Sequence, residues 1–325
     1  MSRETVVIVS IDTEEDNWRP SRNGVAVGNI RELARLRGFF DRLGVRTTYL
    51  VNYQVAIKPC AVEVLRDLSA AGNAEIGAHL HPWNTPPLDE AFIPRNTMLK
   101  NLPADLQLAK LQQLTDTLQQ AFECTPTVFR AGRFGFGPGT VAALLRCGYR
   151  VDSSVTPFWN WESLDDGPSF VGAPLDAYRL APNDDVRRPA ANGELLEIPL
   201  SYGFSSGPFS FWDPTRRLLE SAPFRWLRLA GIVSRTGLGK RIVLSPELAS
   251  AAEMLTLSRR LLEHGVRHLQ LFWHSPSFTA GLTPFVATKG DVRRMFDSLE
   301  AYFDGLSRMT NVRFATLSEA AALLA

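Results

Sequence analysis

The sequence predicts an α/β fold, a distorted parallel (β/α)7–8 barrel in a single domain over residues 1–325. Strand-like and helix-like segments alternate along the chain, and the strand-like ones are continuous Val- and Ile-rich runs, the pattern of strands buried on both faces. Seven or eight such units follow one another without a break in composition, and that number favours a closed or nearly closed barrel over an open sheet.

The elements follow in order. Thr5 to Ile11 is an unbroken apolar strand, and Ile30 to Leu43 is a helix closed by Gly44. Val45 to Val51 reads as a strand, Ala61 to Ala71 as a helix stopped by Gly72, and Ala74 to His79 as the next strand. A Pro-bearing loop at Pro86 and Pro87 leads to a long helix, Pro103 to Phe122, and then to a strand, Thr127 to Ala131. The helix TVAALLRCG precedes a strand from Tyr149 to Val155. Glu194 to Leu200, Arg241 to Leu244 and His268 to Trp273 are further strands, with the helix SAAEMLTLSRRLLEHG before the last of them. The chain closes with a helix from Asp291 to Met309, a strand from Val312 to Thr316 and a short terminal helix. Pro157 to Gly193, rich in Pro, Asp, Gly and Trp, reads as a long loop excursion of the kind that forms lids and binding walls.

Composition removes several function classes. Thirty-five Lys plus Arg against 34 Asp plus Glu leave a net charge of +1, so no overall field recruits nucleic acid. Three widely spaced cysteines, Cys60, Cys124 and Cys147, read as buried or reduced thiols and not as a disulfide framework or a zinc knuckle. The first residues enter a strand with no basic and apolar leader pattern, and no run approaches the roughly 18 apolar residues of a membrane span. A cytoplasmic location is the expectation.

Barrel chemistry gathers where strands end. Those ends read SIDTEEDNW, HLHPW, FRAGRFGFG, VDSSVTP and FWHSPSF, which together supply carboxylates, histidines and an arginine to one face. Two of the five histidines, His79 and His81, stand one residue apart. In extended backbone such a pair shares a face, and it suits a divalent metal if oxygen ligands arrive from elsewhere.

The order of these motifs resembles the polysaccharide deacetylases, carbohydrate esterase family four. Asp12-Thr13-Glu14, His79-Leu80-His81, Arg130-Ala131-Gly132, Asp152-Ser153-Ser154 and Phe272-Trp273-His274 match that family's five motifs in sequence, across residues 5 to 280. Three features depart from it: Asp-x-Glu replaces an adjacent Asp pair, the histidines lie two residues closer together, and Gly132 stands where the family has proline. The resemblance implies a metal-dependent hydrolase that removes an acetyl or related acyl group from an N-acetylated sugar or glycan precursor. Glu14, His79 and His81 would hold a divalent ion, zinc in the first instance, with Asp12 as general base. Asp12 as the ligand, with Glu14 or Glu15 in another role, stays open. Arg130 would hold Asp12 charged and oriented. His274 would protonate the departing amine with Asp152 fixing its ring.

Backbone N–H groups of the turn at Gly132, Arg133, Phe134 and Gly135 are candidate oxyanion donors. Trp83, Phe134, Trp159, Trp161 and Trp273 lie near these loops and are candidate sugar-stacking residues. Residues 213–241 form a basic insertion that carries Arg216, Arg217, Arg225, Arg228, Arg235, Lys240 and Arg241 among Trp226, Leu227, Leu229 and Ile232. It reads either as a barrel helix with a solvated basic face or as a segment in peripheral contact with an anionic bilayer, and the second case favours a lipid-linked sugar. Two rival functions remain: an allantoinase-like amidohydrolase acting on a small non-sugar amide, and a non-catalytic carbohydrate-binding relative.

Overall fold

A computed structural model describes residues 4–70, 72–221 and 237–325. Its centre is β1 (Glu4–Thr13), buried along all but its first residue. One edge of β1 pairs in parallel with β10 (His268–His274). The other edge is shared: β11 (Asn311–Ala315) takes Glu4 to Ile8, and β2 (Thr47–Val51) takes Val9 to Thr13. From β2 the sheet continues through β3 (Ala74–Leu80), β4 (Val128–Ala131), β5 (Val151–Asp152) and β7 (Leu195–Glu197), all parallel. It ends on β6 (Tyr178–Leu180), which runs antiparallel to β7.

This nine-stranded sheet curls into a half-barrel, the distorted (β/α) architecture. Its open side is bridged by a separate antiparallel pair, β8 (Tyr202–Phe204) and β9 (Arg241–Val243), with Phe272 donating its N–H to Leu244 and Gln270 donating to Ser201 Oγ. The helices α1 (Ala34–Leu43), α2 (Tyr53–Ala56), α3 (Pro59–Ser69), α4 (Ala104–Phe122), α5 (Pro138–Arg146), α6 (Phe209–Glu220), α7 (Ala251–Glu263), α8 (Lys289–Met309) and α9 (Leu317–Leu324) clothe the sheet. Among the described residues no helix is long and apolar enough to cross a membrane.

Strand parity positions the site. Successive side chains of a strand point to opposite faces, and on β1 Val7, Val9 and Ile11 join the large core shared with the helices. Val6 and Ile8 join a smaller cluster with Leu50, Val128, Val151 and Leu196 inside the curl. Ser10 and Asp12 continue that inner face upward, so the interior changes from apolar at its base to polar at its mouth. Gly77 of β3 is small for the same reason: a Cβ there would lie 2.5 Å from Val128 and 2.8 Å from Leu50.

Most boundaries fall where the pattern predicts, with the helix ends at Gly44 and Gly72 marked by left-handed glycines at φ 67° and 73°. Several elements are shorter or new. The strand expected over Tyr149 to Val155 is only β5, and the excursion 157–193 contains β6, too brief for periodicity to reveal. Of the basic insertion, α6 and β9 are described, while Arg225, Trp226, Leu227, Arg228, Leu229, Ile232 and Arg235 lie outside the described residues. All three cysteines are free thiols, as the reading of reduced thiols expects, with Cys60 and Cys124 exposed and Cys147 half-buried.

Candidate active site

Asp12 of β1, His79 of β3 and Phe272 and His274 of β10, with Glu14 and His81 just past their strands, line the floor of a cavity of about 950 Å³. Glu14, His79 and His81 are all buried, and their ligand atoms lie within 4.8 Å of one another. Glu14 Oε2 is 3.1 Å from His81 Nε2 and 3.6 Å from His79 Nε2. Each imidazole is oriented from behind. His79 Nδ1 meets the Arg130 carbonyl at 3.1 Å, and His81 Nδ1 meets Glu15 Oε1 at 3.2 Å. Both partners are acceptors, so Nδ1 keeps its hydrogen on each ring, and Nε2, which faces Glu14, is the nitrogen that would give up its proton to bind an ion. This is the tautomer that a metal ligand needs, fixed by a carbonyl and a carboxylate as outer-shell partners. Imidazole and carboxylate donors in a small buried set therefore fit a divalent ion.

Glu15, in turn, is held by Asn84 at 2.7 Å and by Asn52. Burial alone would lower the His81 imidazolium, but Glu15 and Glu14 outweigh it and push its pKa up to about 10. For Glu14, hydrogen bonds from His79 and His81 and the charge of His274 overcome the opposing effect of burial and hold the carboxyl well below its usual range. Exchanging Glu15 for Gln removes the charged acceptor behind His81. Isothermal titration with zinc is expected to show affinity lowered about 10- to 100-fold.

Gly132 closes the other side of His81. A Cβ there would lie 2.4 Å from His81 Cδ2 and 2.7 Å from the Leu80 carbonyl. A Gly132→Ala chain must move both the ring and the Leu80 backbone, and its zinc affinity is expected to fall by about tenfold or more, with some loss of melting temperature from the backbone clash. The glycine at the third position of the arginine motif thus has a steric reason that proline could not meet.

Arg130 is fully buried, with Nη1 on Asp12 Oδ1 at 2.6 Å, Nε on the Ser153 carbonyl at 2.7 Å and Nη2 on Ser10 and Ser153 hydroxyls. Removing one member of such a pair leaves a buried charge uncompensated, at a cost of about 3–5 kcal/mol. Arg130→Met is accordingly expected to lose a substantial share of the chain's stability in urea unfolding, since whole domains hold only about 5–15 kcal/mol.

His274 stands opposite the metal-type set. Its Nε2 is 3.9 Å from Asp12 Oδ2 and its Nδ1 is 2.9 Å from Glu247 Oε2. Glu247 also accepts the His274 backbone N–H at 3.1 Å and a hydrogen bond from Ser277. Burial works against the charged imidazolium, but Glu247, with Glu14 and Asp12, pushes its pKa up to about 10. Trp18 meets the ring edge-on at 5.1 Å and Phe285 stacks at 6.2 Å.

The expectation that Asp152 fixes the His274 ring is corrected here. The register sets Val128 beside Val151 and Phe129 beside Asp152, so Asp152 shares the face of Phe129, turned toward the helices, and Ser153 is the inward residue. Asp152 instead accepts from the Ser154 N–H and hydroxyl and pairs with Glu197. Burial, together with the Asp152 charge, raises Glu197 well above its ordinary value. Glu247, in the loop after β9, holds the imidazole instead. Its one sequence signal is position, a carboxylate three residues past the expected strand Arg241 to Leu244; the pairing with His274 has no local signal.

The aromatic residues divide. Trp83, Phe134 and Trp161 line the cavity, as does Arg133, whose Nη2 reaches Asp165 Oδ2 at 2.7 Å. Trp83 is buried and stacks on His81 at 4.2 Å, so its ring is committed to that histidine. Trp159 lines a smaller adjoining cavity of about 190 Å³ beneath the Arg241 guanidinium, 5.4 Å from its ring. Trp273, the outward residue between Phe272 and His274, is fully buried against Phe40 and Phe278.

No family model matches this sequence, and no curated protein matches it. Solved structures do resemble it. A polysaccharide deacetylase candidate from Mycobacterium smegmatis aligns over 99% of this chain and 90% of its own, at 18% identity and a TM-score of 0.54. A 4-alpha-glucanotransferase from Thermococcus litoralis aligns over 99% of this chain and 40% of its own, at 14% identity and a TM-score of 0.52. Likeness at these identities speaks of architecture: the chain has the fold found in the polysaccharide deacetylases.

Proposed function

We propose that this chain is a divalent-metal-dependent deacetylase that hydrolyses the acetamide of an N-acetylated sugar in polysaccharide or cell-envelope glycan metabolism. One observation carries the reading. A metal-type ligand set, an arginine-paired carboxylate and a carboxylate-paired histidine meet on the floor of a single cavity with aromatic walls.

When bound by Glu14, His79 and His81, a divalent ion, zinc by preference for these donors, supplies Lewis acidity for the acyl carbonyl and the attacking water. Asp12 takes the proton of that water through Oδ2, because Oδ1 is occupied by Arg130. This division also favours Asp12 as base and Glu14 as ligand: Glu14, not Asp12, is the carboxylate beside both imidazoles. His274 delivers its Nε2 proton to the departing amine, while Glu247 on Nδ1 balances the charge of the imidazolium. N–H groups of the turn at Gly132, Arg133 and Phe134 serve the oxyanion, and Phe134 and Trp161 stack on the sugar.

The test is acetate release from N-acetylated oligosaccharides by the zinc-loaded chain. Turnover that disappears with a chelator and returns with zinc supports the reading. Hydrolysis of a small non-sugar amide with none of any glycan replaces it with the amidohydrolase alternative.

A further inference from the structure

The walls of the cavity are more apolar than a soluble sugar requires. Trp18, Phe92, Ile93, Leu164 and Leu248 all line it and all stand 39–52% exposed, five of the eleven large apolar side chains that the described residues leave open to solvent. They come from separate segments: the loop after β1, the stretch before α4, the excursion 157–193 and the loop after β9. Folding would hide such residues singly, whereas a ring of them around one mouth marks a site for an apolar ligand. Below the ring the floor is charged and closed, and Trp83, only 4% exposed, seals the side nearest His81.

We infer that the substrate is an amphiphile: an acylated amino sugar whose amine-bearing half carries a long alkyl or prenyl chain held by this collar. The inference rests on the deacetylase reading and names the substrate class for that same site. The half that carries the chain follows from the placement of the proton donor. His274 faces the departing amine, and the groups around its ring are Trp18 and Phe285, with Leu248 following Glu247 in sequence. The amine half therefore leaves along the apolar wall, toward the exposed collar. The acyl half lies at the opposite end, against His81 and Trp83, where close packing admits a short group.

Two measurements on the zinc-loaded, full-length chain test this. The first compares kcat/KM for acetate release from methyl and octyl N-acetylglucosaminide below the micellar concentration. Each buried methylene contributes roughly 0.8 kcal/mol at full burial, about fourfold, so partial burial of the chain is expected to raise kcat/KM at least about tenfold, mainly through KM. A Phe92→Ser/Leu248→Ser chain should lower the octyl-to-methyl ratio. The second measures calorimetric binding of octyl glucoside, which has no acyl group, against methyl glucoside. Tighter octyl binding, weakened in the same double variant, supports the collar whether or not acetate is released. Chain binding without acetate release thus sinks only the deacetylase reading. Equal binding and equal turnover of the two glycosides overturn the amphiphile proposal alone. It is also overturned if the gain follows lengthening of the N-acyl group on a methyl glycoside, or if octyl glucoside fails to bind and the chain self-associates in sedimentation until Phe92 and Leu248 are replaced.

Discussion

Glu14→Ala is expected to give a folded chain that retains no divalent ion and releases no measurable acetate. The fold should survive because the hydrogen bonds that anchor this residue to its surroundings are made by its backbone: its N–H to Ser275 Oγ and its carbonyl from Asn29 Nδ2. Its side chain meets His79 and His81, and without it two imidazoles remain, too few to hold a catalytic ion against water. Elemental analysis of the purified variant, beside circular dichroism, separates the outcomes. About one ion per chain retained in Glu14→Ala would remove Glu14 from the ligand set and bring Asp12 back as the carboxylate ligand. Binding in the unaltered chain should also strengthen as pH rises toward 10, because His81 must give up its proton to ligate and Glu15 and Glu14 push its pKa up to about 10.

The second large effect belongs to His274 and its partner. His274→Ala should lower kcat about 10²- to 10⁴-fold with the ion still bound, the range for loss of a positioned proton donor. Glu247→Gln is the more informative change. The donor must be protonated to act, so activity falls as pH rises through its pKa. Glu247 is the foremost influence holding that pKa up against burial, and without it the alkaline limb of the kcat/KM profile should move to lower pH. A merely structural role for Glu247 would lower activity evenly at every pH and leave the limb in place. Glu247→Asp, which restores the charge, should bring the limb part of the way back.

How far the sequence reveals this site depends on strand parity. His79 lies on β3 and His81 directly follows its last residue; two apart, they turn to the same side, as the His-x-His spacing requires, and the same count along β1 puts Ser10 and Asp12 together. Parity fails at β5, where only two residues pair. There the motif Asp152-Ser153-Ser154 gives no register of its own, and Asp152 falls on the outer face. Glu15 and Glu247 escape sequence reading for another reason. Both act through histidines brought to them by other strands, contacts that no local spacing encodes. The excursion 157–193 was legible as a wall, since Trp161, Leu164 and Asp165 reach the cavity, but not its turn back through β6. The collar was invisible because its members come from four segments and none forms a run.

The shared edge of β1 has a consequence for how the chain matures. Register sets Asp12 beside His274, and the Glu14–Ser275 hydrogen bond joins residues 261 apart. Glu4 to Ile8 find their second neighbour only in β11, near the end of the chain. During synthesis β1 therefore waits for residues 268–274 to complete one edge and for residues 311–315 to complete the other. Contacts of such long range close slowly, because the entropy of loop closure precedes their reward. The nascent chain can assemble β2 to β5 with their helices early, yet Asp12 and His274 meet only once β10 has emerged and joined β1.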